Sequence, residues 1–395
     1  MKNILLNSLL VLISFSCTFG LAEVGLRTQG HEDADGNFVL KNYGTVRPYH
    51  LPIAETQAKI TDYLSRTNQS YLQYDPRLGW SPKPNSHSVN GLYYYNSQGL
   101  RSTPQEYSFT PATDTLRIAL FGDSFTHSSD VSYHESWGYY LQQNLTQHGR
   151  KVEILNFGVD GYGMDQAYLR WQQLGVKFAP QLVIFGLQME NSNRNVNLLR
   201  PLYRQSSGIP FSKPRYILQA NQLTLINQPP IPPEQVVSLM QNFATWPLAR
   251  HEYFFNPADY EPHLWPNSKL IALTLDVMSG QNEENNDTYQ LDQEPAQITL
   301  AILQAFHADV EAHGARFMLV HLPRDRNLSD LVEGKSLTYQ ILLNHLAQEH
   351  TLIRPEQGHL EQLAQFSVKE LFITSHYSAK GNQFVAQALT EAILK

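Results

Sequence analysis

One serine, one histidine and two loops of the chain carry residue types that can perform acyl transfer. Ser124 lies in a Gly122-Asp123-Ser124 turn directly after the short apolar run at 117–121. A buried strand that ends in such a turn exposes the serine hydroxyl at the carboxyl end of a sheet, where it can act as a nucleophile. The alternative interpretation is a simple turn with a helix N-cap, because Gly, Asp and Ser all favour turns.

Two further loops supply candidate oxyanion donors, and a third supplies a candidate base. Gly161 follows the second predicted strand, and Asn191 follows the third. A glycine N–H and an asparagine amide at these places can join the Ser124 N–H in stabilising a tetrahedral oxyanion. His376 lies just before the last predicted helix, from where it can reach the same crevice as a general base.

Other residues near these blocks have weaker functional interpretations. Asp123 is predicted to cap local N–H groups and hold the turn, and His127 and His134 are candidates to line the pocket, although a lone pocket histidine is more often structural. Neither histidine has a partner at a metal-ligand spacing, so we expect no metal site and no cofactor. The aromatic residues that could form a sugar platform or pack in a core are Trp80, Tyr162 and Trp171. The polar residues beside Asn191 that could contact substrate, or cap a helix or loop, are Glu190, Asn193, Arg194 and Asn195.

Alternating strands and helices position these residues. Strands are predicted at 117–121, 152–157, 182–187, 316–322 and, weakly, 351–353; helices are predicted at 135–147, 164–175, 296–313, 339–349 and 382–394. This alternation predicts an α/β fold, a flavodoxin-like three-layer α/β/α sandwich with a mostly parallel sheet. Ligand sites in such folds lie at the carboxyl ends of the strands, where the candidate residues fall.

Two regions depart from the alternating pattern. Residues 28–112 are polar and turn-rich, and we interpret them as a lead-in module that packs on the next domain. Half of the 22 prolines fall between Pro201 and Pro266, within a region at about 197–290 that interrupts the alternation. A hairpin around Ala220-Asn221 and a polar loop at 281–288 are predicted inside it. So long an interruption is typical of a lid, a cap or an insertion.

The N-terminal segment at 1–27 is predicted to be a signal peptide or a membrane anchor. Lys2 is followed by a mostly apolar stretch without charge until Glu23, and Gly20 and Ala22 are suitable for cleavage. Cleavage and retention as an anchor both remain open, as do a lipoprotein site at Cys17 and a buried helix. We therefore expect an exported, periplasmic or otherwise extracytoplasmic protein, held at the membrane if the segment is uncleaved.

Composition excludes several classes of function. The formal charge is 29 minus 36, or −7, which argues against nucleic acid as a partner because such binders need a basic surface. The single cysteine rules out a disulfide framework and a cysteine-based metal site within the chain. Neither a Gly-x-Gly-x-x-Gly motif after the first strand nor a P-loop is present, which disfavours a nucleotide-binding protein.

The four blocks, in this order, resemble the motifs of the SGNH subgroup of the GDSL hydrolase superfamily over about 118–392. The resemblance implies a hydrolase-like domain at 113–395 that carries the insertion. It also implies roles for four residues: Ser124 as nucleophile, Gly161 and Asn191 as oxyanion donors beside the Ser124 N–H, and His376 as base. The upstream Leu-Gly-Trp and Asn-x-x-Gly-x-Arg stretches resemble exported members of the superfamily that have an N-terminal anchor.

Two departures from the family pattern concern the site. The third block reads Asn191-Ser192 in place of Asn-Asp, and Ile373 stands three residues before His376, where the family has aspartate. That aspartate normally fixes the imidazole tautomer and stabilises the imidazolium. Three outcomes follow: a backbone carbonyl near Ile373 completes a Ser–His dyad, Glu370 orients the base, or the enzyme is impaired. We favour the dyad.

The sequence thus predicts an exported serine esterase or O-acyltransferase. Its expected substrate is an acyl ester, foremost an acetyl ester of a glycan, although lysophospholipase and thioesterase activities remain open. The alternative is a non-catalytic glycan-binding or assembly protein that retains the hydrolase fold, and the missing aspartate motivates it.

Overall fold

The computed structural model describes residues 2–66, 69–204, 207–262, 267–278, 286–357 and 367–395. The strands are β1 (Gly30–Glu32), β2 (Phe38–Leu40), β3 (Gly44–Val46), β4 (Leu72–Asp75), β5 (Gly79–Pro82), β6 (Ser86–His87), β7 (Tyr94–Tyr95), β8 (Leu116–Phe121), β9 (Val152–Asn156), β10 (Leu182–Leu187), β11 (Arg215–Gln219), β12 (Gln222–Ile226), β13 (Arg316–His321), β14 (Leu352–Ile353), β15 (Phe372–Ile373) and β16 (His376–Tyr377). The described α-helices are α1 (Lys2–Gln29), α2 (Ile53–Ser65), α3 (Ser124–His127), α4 (Trp137–Gln147), α5 (Met164–Gln173), α6 (Asn191–Arg194), α7 (Arg200–Tyr203), α8 (Pro233–Gln241), α9 (Lys269–Met278), α10 (Glu294–Ala312), α11 (Asp325–Val332), α12 (Gln340–Glu349) and α13 (Ala379–Leu394).

Five parallel strands form the central sheet in the order β14-β13-β10-β8-β9. Numbered along the chain, these strands stand in the order 2-1-3-4-5, which is the flavodoxin-like arrangement. The predicted fold class is therefore confirmed. The order reverses between β8 and β10, so that the loops after these two strands diverge and leave a crevice at the carboxyl edge of the sheet. Ser124 follows one of these strands and Asn191 the other.

Helices cover both faces of the sheet because the strands are apolar on both faces. Ala119 and Phe121 of β8 point into a core that α5 and α10 complete with Trp171 and Phe306. The alternating residues of the same strand pack with α4 and α13 on the other face: Ile118, Leu120, Trp137, Leu141, Val385 and Leu389. The result is the predicted three-layer sandwich.

The lead-in module packs on both the central domain and the insertion. It contains the β1-β2-β3 sheet, helix α2 and two short hairpins. Helix α2 contributes Ile60 to a small core shared with Val236 and Met240 of α8. Near the sheet, the Arg101 N–H donates to the Asn156 carbonyl at 3.2 Å, which joins the module to the end of β9.

The insertion contains the predicted hairpin. Strands β11 and β12 pair antiparallel around Ala220 and Asn221, and both turn residues have positive φ, 48° and 62°. Such backbone angles at both central residues match the twist of a two-residue hairpin. Of the polar loop predicted at 281–288, all but the last residues lie outside the described part of the chain.

Helix α1 is long and apolar enough to cross a membrane between Leu6 and Gln29, with a mean hydropathy of 2.0. Its last turns contact the insertion. The Glu23 carboxylate accepts hydrogen bonds from the first N–H groups of α9, those of Lys269 at 3.0 Å and Leu270 at 2.9 Å. A carboxylate at a helix N-terminus satisfies donors that the helix itself leaves unpaired.

Candidate active site

The nucleophile turn is built by Gly122 and Asp123. Gly122 has a φ of +150°, and a Cβ added there would lie 2.2 Å from the Thr126 Oγ1 atom, so only glycine fits. The Asp123 carboxylate caps α3 by accepting from the Phe125 N–H at 2.9 Å, as predicted for this residue. Ser124 is therefore held in the first position of a short helix, at the carboxyl end of β8.

The predicted nucleophile and base lie within hydrogen-bonding distance. The His376 Nε2 atom is 2.9 Å from the Ser124 Oγ atom. His376 is the first residue of β16, which forms a tight hairpin with β15 and pairs His376 with Ile373. The imidazole packs edge-on against the Phe125 ring. The next residue, Tyr377, is buried and donates its hydroxyl to the Pro323 carbonyl at 2.7 Å. The hairpin therefore fixes the direction of the imidazole.

The residue that orients His376 is Asp130, which the sequence interpretation missed. Its Oδ2 atom lies 2.8 Å from His376 Nδ1 and also accepts from the Thr374 hydroxyl at 2.6 Å. The favoured Ser–His dyad is therefore wrong: the structure places a carboxylate, not a backbone carbonyl near Ile373, next to the imidazole. The Glu370 alternative is wrong as well, because its carboxylate pairs with the Lys380 ammonium at 2.6 Å.

Asp130 reaches His376 because its loop has an unusual backbone. Ser128 and Asp130 both adopt positive φ, 57° and 70°. The lead-in module holds this conformation: the Tyr93 hydroxyl accepts from the Asp130 N–H at 2.9 Å, and the Arg101 guanidinium donates to the Val131 carbonyl at 2.7 Å. The lead-in module thus positions the third member of a Ser–His–Asp triad.

His127 belongs to a buried network behind Asp130 and does not line the cavity that holds Ser124. Burial lowers the pKa of this imidazole to about 3, so that it is neutral. Its Nε2 atom lies 2.6 Å from the Tyr95 hydroxyl, and its Nδ1 atom lies 2.9 Å from the Ser129 hydroxyl, which in turn donates to Asp160. This network anchors Ser129, the residue before the orienting carboxylate. His134 is exposed and packs on Tyr139.

Two of the predicted oxyanion donors have no competing partner among the described residues. Gly161 lines the same cavity as Ser124, adopts a φ of +76°, and its N–H finds no acceptor within the described part of the chain. Asn191 is 1% exposed, and among the described residues neither its amide nitrogen nor its amide oxygen has a hydrogen-bond partner. An unpaired buried amide costs about 1–3 kcal/mol. Asn191 itself is not one of the residues that line the cavity.

A buried ion pair ties the Asn191 block to the nucleophile turn. The Arg194 guanidinium donates to Asp123 at 3.0 Å and to the Tyr162 carbonyl at 3.0 Å. Burial raises the pKa of Asp123, and the guanidinium opposes that rise. Of the other polar residues in this block, Asn195 accepts from the N–H of Met164 at 2.8 Å and so caps α5. These contacts hold the loops after β8, β9 and β10 together.

The triad opens into a cavity of about 480 Å³ between the lead-in module and the insertion. Tyr71 and Tyr93 line it from the lead-in module, and Arg200 and Phe211 line it from the insertion. The predicted sugar-platform residues do not: Trp80, Tyr162 and Trp171 are fully buried core residues. No cluster of metal-ligating side chains occurs among the described residues.

Comparisons with known proteins are limited to structures. No protein-family model and no curated protein matches the sequence. Three solved structures are examples of the matches. A lipolytic protein of the G-D-S-L family from Desulfitobacterium hafniense DCB-2 has 11% identity and a TM-score of 0.35, and the match covers 70% of this chain and 98% of that chain. TesA has 11% identity and a TM-score of 0.36 (70% of this chain, 97% of that chain), and the acetylxylan esterase Axe2 from Geobacillus stearothermophilus has 12% identity and a TM-score of 0.37 (72% of this chain, 95% of that chain).

The Asp130 carboxylate is expected to be necessary for rapid turnover. Asp130→Asn keeps the size of the side chain but removes the charge that stabilises the imidazolium, so we expect kcat on an acetyl ester to fall by roughly 10³–10⁴-fold. The matched control is Glu370→Gln, because Glu370 forms only an exposed ion pair and its removal should leave kcat unchanged. Equal losses in the two variants would contradict the assignment of Asp130.

The Tyr93 hydroxyl is expected to act by positioning Asp130. Tyr93→Phe removes the acceptor of the Asp130 N–H, so kcat should fall by about 5-fold, the equivalent of one lost hydrogen bond. Tyr94→Phe is the control, since the Tyr94 hydroxyl has no hydrogen bond among the described residues. In an Asp130→Asn background the Tyr93→Phe loss should disappear, as a double-mutant cycle would measure. Additive losses would show that Tyr93 acts elsewhere.

Proposed function

We propose that this protein is a serine esterase or O-acyltransferase that acts on acyl esters of a glycan. The observation that carries the proposal is the unbroken hydrogen-bond line from Ser124 Oγ through His376 to Asp130, with distances of 2.9 and 2.8 Å. Nucleophile, base and orienting acid in this geometry are the parts that acyl-enzyme chemistry requires. Asn191 and Gly161 supply the oxyanion donors.

In the proposed acylation step, Ser124 Oγ attacks the ester carbonyl carbon while its proton moves to His376 Nε2. The carbonyl oxygen becomes an oxyanion that accepts from the Ser124 N–H, the Gly161 N–H and the Asn191 amide. Asp130 stabilises the imidazolium through Nδ1. Collapse of the intermediate breaks the bond to the alcohol, which takes the proton from Nε2 and leaves an acyl-serine.

In the second step, His376 removes a proton from water or from a sugar hydroxyl, which attacks the acyl-serine. Water as the nucleophile gives net hydrolysis, and a sugar hydroxyl gives transfer of the acyl group. Both reactions regenerate the Ser124 hydroxyl and use the same oxyanion donors. The two activities therefore differ only in what the cavity admits at this step.

A glycan is the proposed carrier of the acyl group because the cavity has an aromatic wall. Tyr71 and Tyr93 lie at its lead-in side, and a second cavity of about 850 Å³ shares both residues and extends along α2. Aromatic rings beside a long cleft suit the apolar faces of sugar rings. The alternative, a non-catalytic glycan-binding or assembly protein, rested on the missing aspartate at position 373. Because Asp130 places a carboxylate beside His376, that reason no longer supports the alternative.

A fluorophosphonate probe tests the proposed chemistry directly. We expect it to label the wild-type protein at Ser124 and to leave Ser124→Ala unlabelled, because only an activated serine is phosphonylated. Asn191→Ala should still fold but lower kcat for p-nitrophenyl acetate by roughly 10²–10³-fold. Folded wild-type protein that neither reacts with the probe nor releases p-nitrophenol would overturn the proposal.

For location, we propose that α1 is retained as a membrane anchor with the remaining chain outside the cytoplasm. The helix runs unbroken through the predicted cleavage site after Ala22, and Glu23 ties its end to α9. The intact mass of the protein recovered from membranes should include residues 1–22. If the protein is instead recovered in a soluble fraction, with a mass that corresponds to a chain starting at Glu23, the segment is cleaved.

A further inference from the structure

We propose that Arg200 forms an anion-binding subsite beside the oxyanion hole and selects acyl esters of acidic sugars. The expected ligand group is an oxyanion carried by the sugar, foremost the carboxylate of a uronic acid. The inference rests on the proposed esterase function for its biological meaning. The binding of the anion itself needs no catalysis and can be measured separately.

Arg200 is a buried cation that makes no direct ion pair with a carboxylate of the described residues. The residue is 5% exposed, and it lines the cavity that holds Ser124 and His376. Its hydrogen bonds are long: 3.4 Å to the Ser207 hydroxyl and 3.5 Å to the Gly161 carbonyl. Its guanidinium carbon lies 5.2 Å from the centre of the Tyr203 ring. Among the described residues, no acidic side chain forms an ion pair with it.

The other arginines at this cavity are all paired. Arg194 binds Asp123 at 3.0 Å. Arg204 and Arg324 bind the two oxygens of Glu190 at 2.8 and 2.9 Å. Burial of an unpaired charge is costly, and a protein normally avoids it by pairing the charge. Arg101 and Arg170 are also buried without an ion pair among the described residues, but both donate to backbone carbonyls at 2.7 Å and neither lines this cavity. Arg200 differs because it lines the cavity, where an anion of the substrate can reach it.

Arg200 lies beside Gly161, and this position determines where the anion would bind. Its Nη1 atom contacts the Gly161 carbonyl, and its Cζ atom lies 3.8 Å from the position of a Cβ on Gly161. The N–H of the same glycine is a predicted oxyanion donor. A carboxylate on Arg200 would therefore belong to the sugar residue that carries the ester or to its direct neighbour.

The guanidinium of Arg200 is charged at neutral pH. Burial, together with the nearby Arg194, lowers its pKa to about 9, which still leaves the guanidinium protonated. A guanidinium can donate two parallel hydrogen bonds to one carboxylate, a geometry that a lysine cannot reproduce. Glu190 favours the charge of Arg200 from a distance, and a bound anion would add the direct ion pair that Arg200 lacks.

The test measures binding to the inactive Ser124→Ala variant, so that no ester is consumed. Acetylated methyl glucuronide and acetylated methyl glucoside differ in the carboxylate alone, and titration calorimetry gives their Kd values. We expect the glucuronide to bind about 10–100-fold more tightly, the range for hydrogen bonds to a charged group. Addition of Arg200→Gln should remove this preference, and Arg200→Lys should keep only part of it.

Arg250→Gln is the matched control, because Arg250 lies exposed on the same insertion and its loss changes the net charge equally. This variant should keep the full preference for the glucuronide. The 6-sulfate and 6-phosphate of the glucoside identify which oxyanion fits best. Equal binding of the glucuronide and the glucoside, or a preference that persists in a folded Arg200→Gln protein, would overturn the subsite.

The outcome separates the subsite from the proposed function. A preference that depends on Arg200, in a protein that the fluorophosphonate probe does not label, would support the anion site and reject the esterase. A labelled, active enzyme that hydrolyses both acetylated sugars equally well would support the esterase and reject the anion site.

Discussion

The hydrogen bond between Asp130 and His376 is the contact on which the proposed chemistry depends, and it depends on a strained loop. Two residues of that loop, Ser128 and Asp130, have positive φ, which side chains other than glycine adopt only at a cost. The Tyr93 hydroxyl, which accepts from the Asp130 N–H, and the Arg101 guanidinium, which donates to the Val131 carbonyl, stabilise the loop from outside the central domain. The lead-in module therefore contributes to the candidate active site, although its residues precede β8, the first strand of the central sheet.

The positions of the proposed oxyanion donors also depend on contacts between separate elements of the fold. Ser124, Gly161 and Asn191 follow three different strands, so their relative positions are set by how the loops pack and not by any one loop. The Asp123–Arg194 pair links the first loop to the third, and Arg194 also donates to the carbonyl of Tyr162 in the second. A single buried guanidinium thus fixes all three loops at the point where the strand order reverses.

Most of the fold but only part of the site could be predicted from the sequence. The fold follows from local residue patterns, whereas the site also depends on contacts between distant residues. Buried strands such as Leu182–Leu187 are continuous apolar runs, so their positions follow directly from residue type. Ser124 and His376 could be predicted as nucleophile and base because short local motifs carry them, and their side chains lie 2.9 Å apart. Asp130 was missed because nothing local distinguishes it: its role comes from a backbone conformation and from a histidine 246 residues away. A Gly-free Ser-Ser-Asp stretch gives no signal of positive φ.

Asn191 and Arg200 are two almost fully buried polar groups without full partners among the described residues. The Asn191 amide has no hydrogen bond, and the Arg200 guanidinium has two long hydrogen bonds but no ion pair. In the proposed function, the Asn191 amide donates to an oxyanion that exists only during the reaction, whereas the Arg200 guanidinium binds a charge that the substrate carries throughout. Partners of the first kind accelerate the chemical step, and partners of the second kind select the substrate. The two proposed roles meet at Gly161: its N–H is the proposed oxyanion donor, and its carbonyl contacts the Arg200 guanidinium at 3.5 Å.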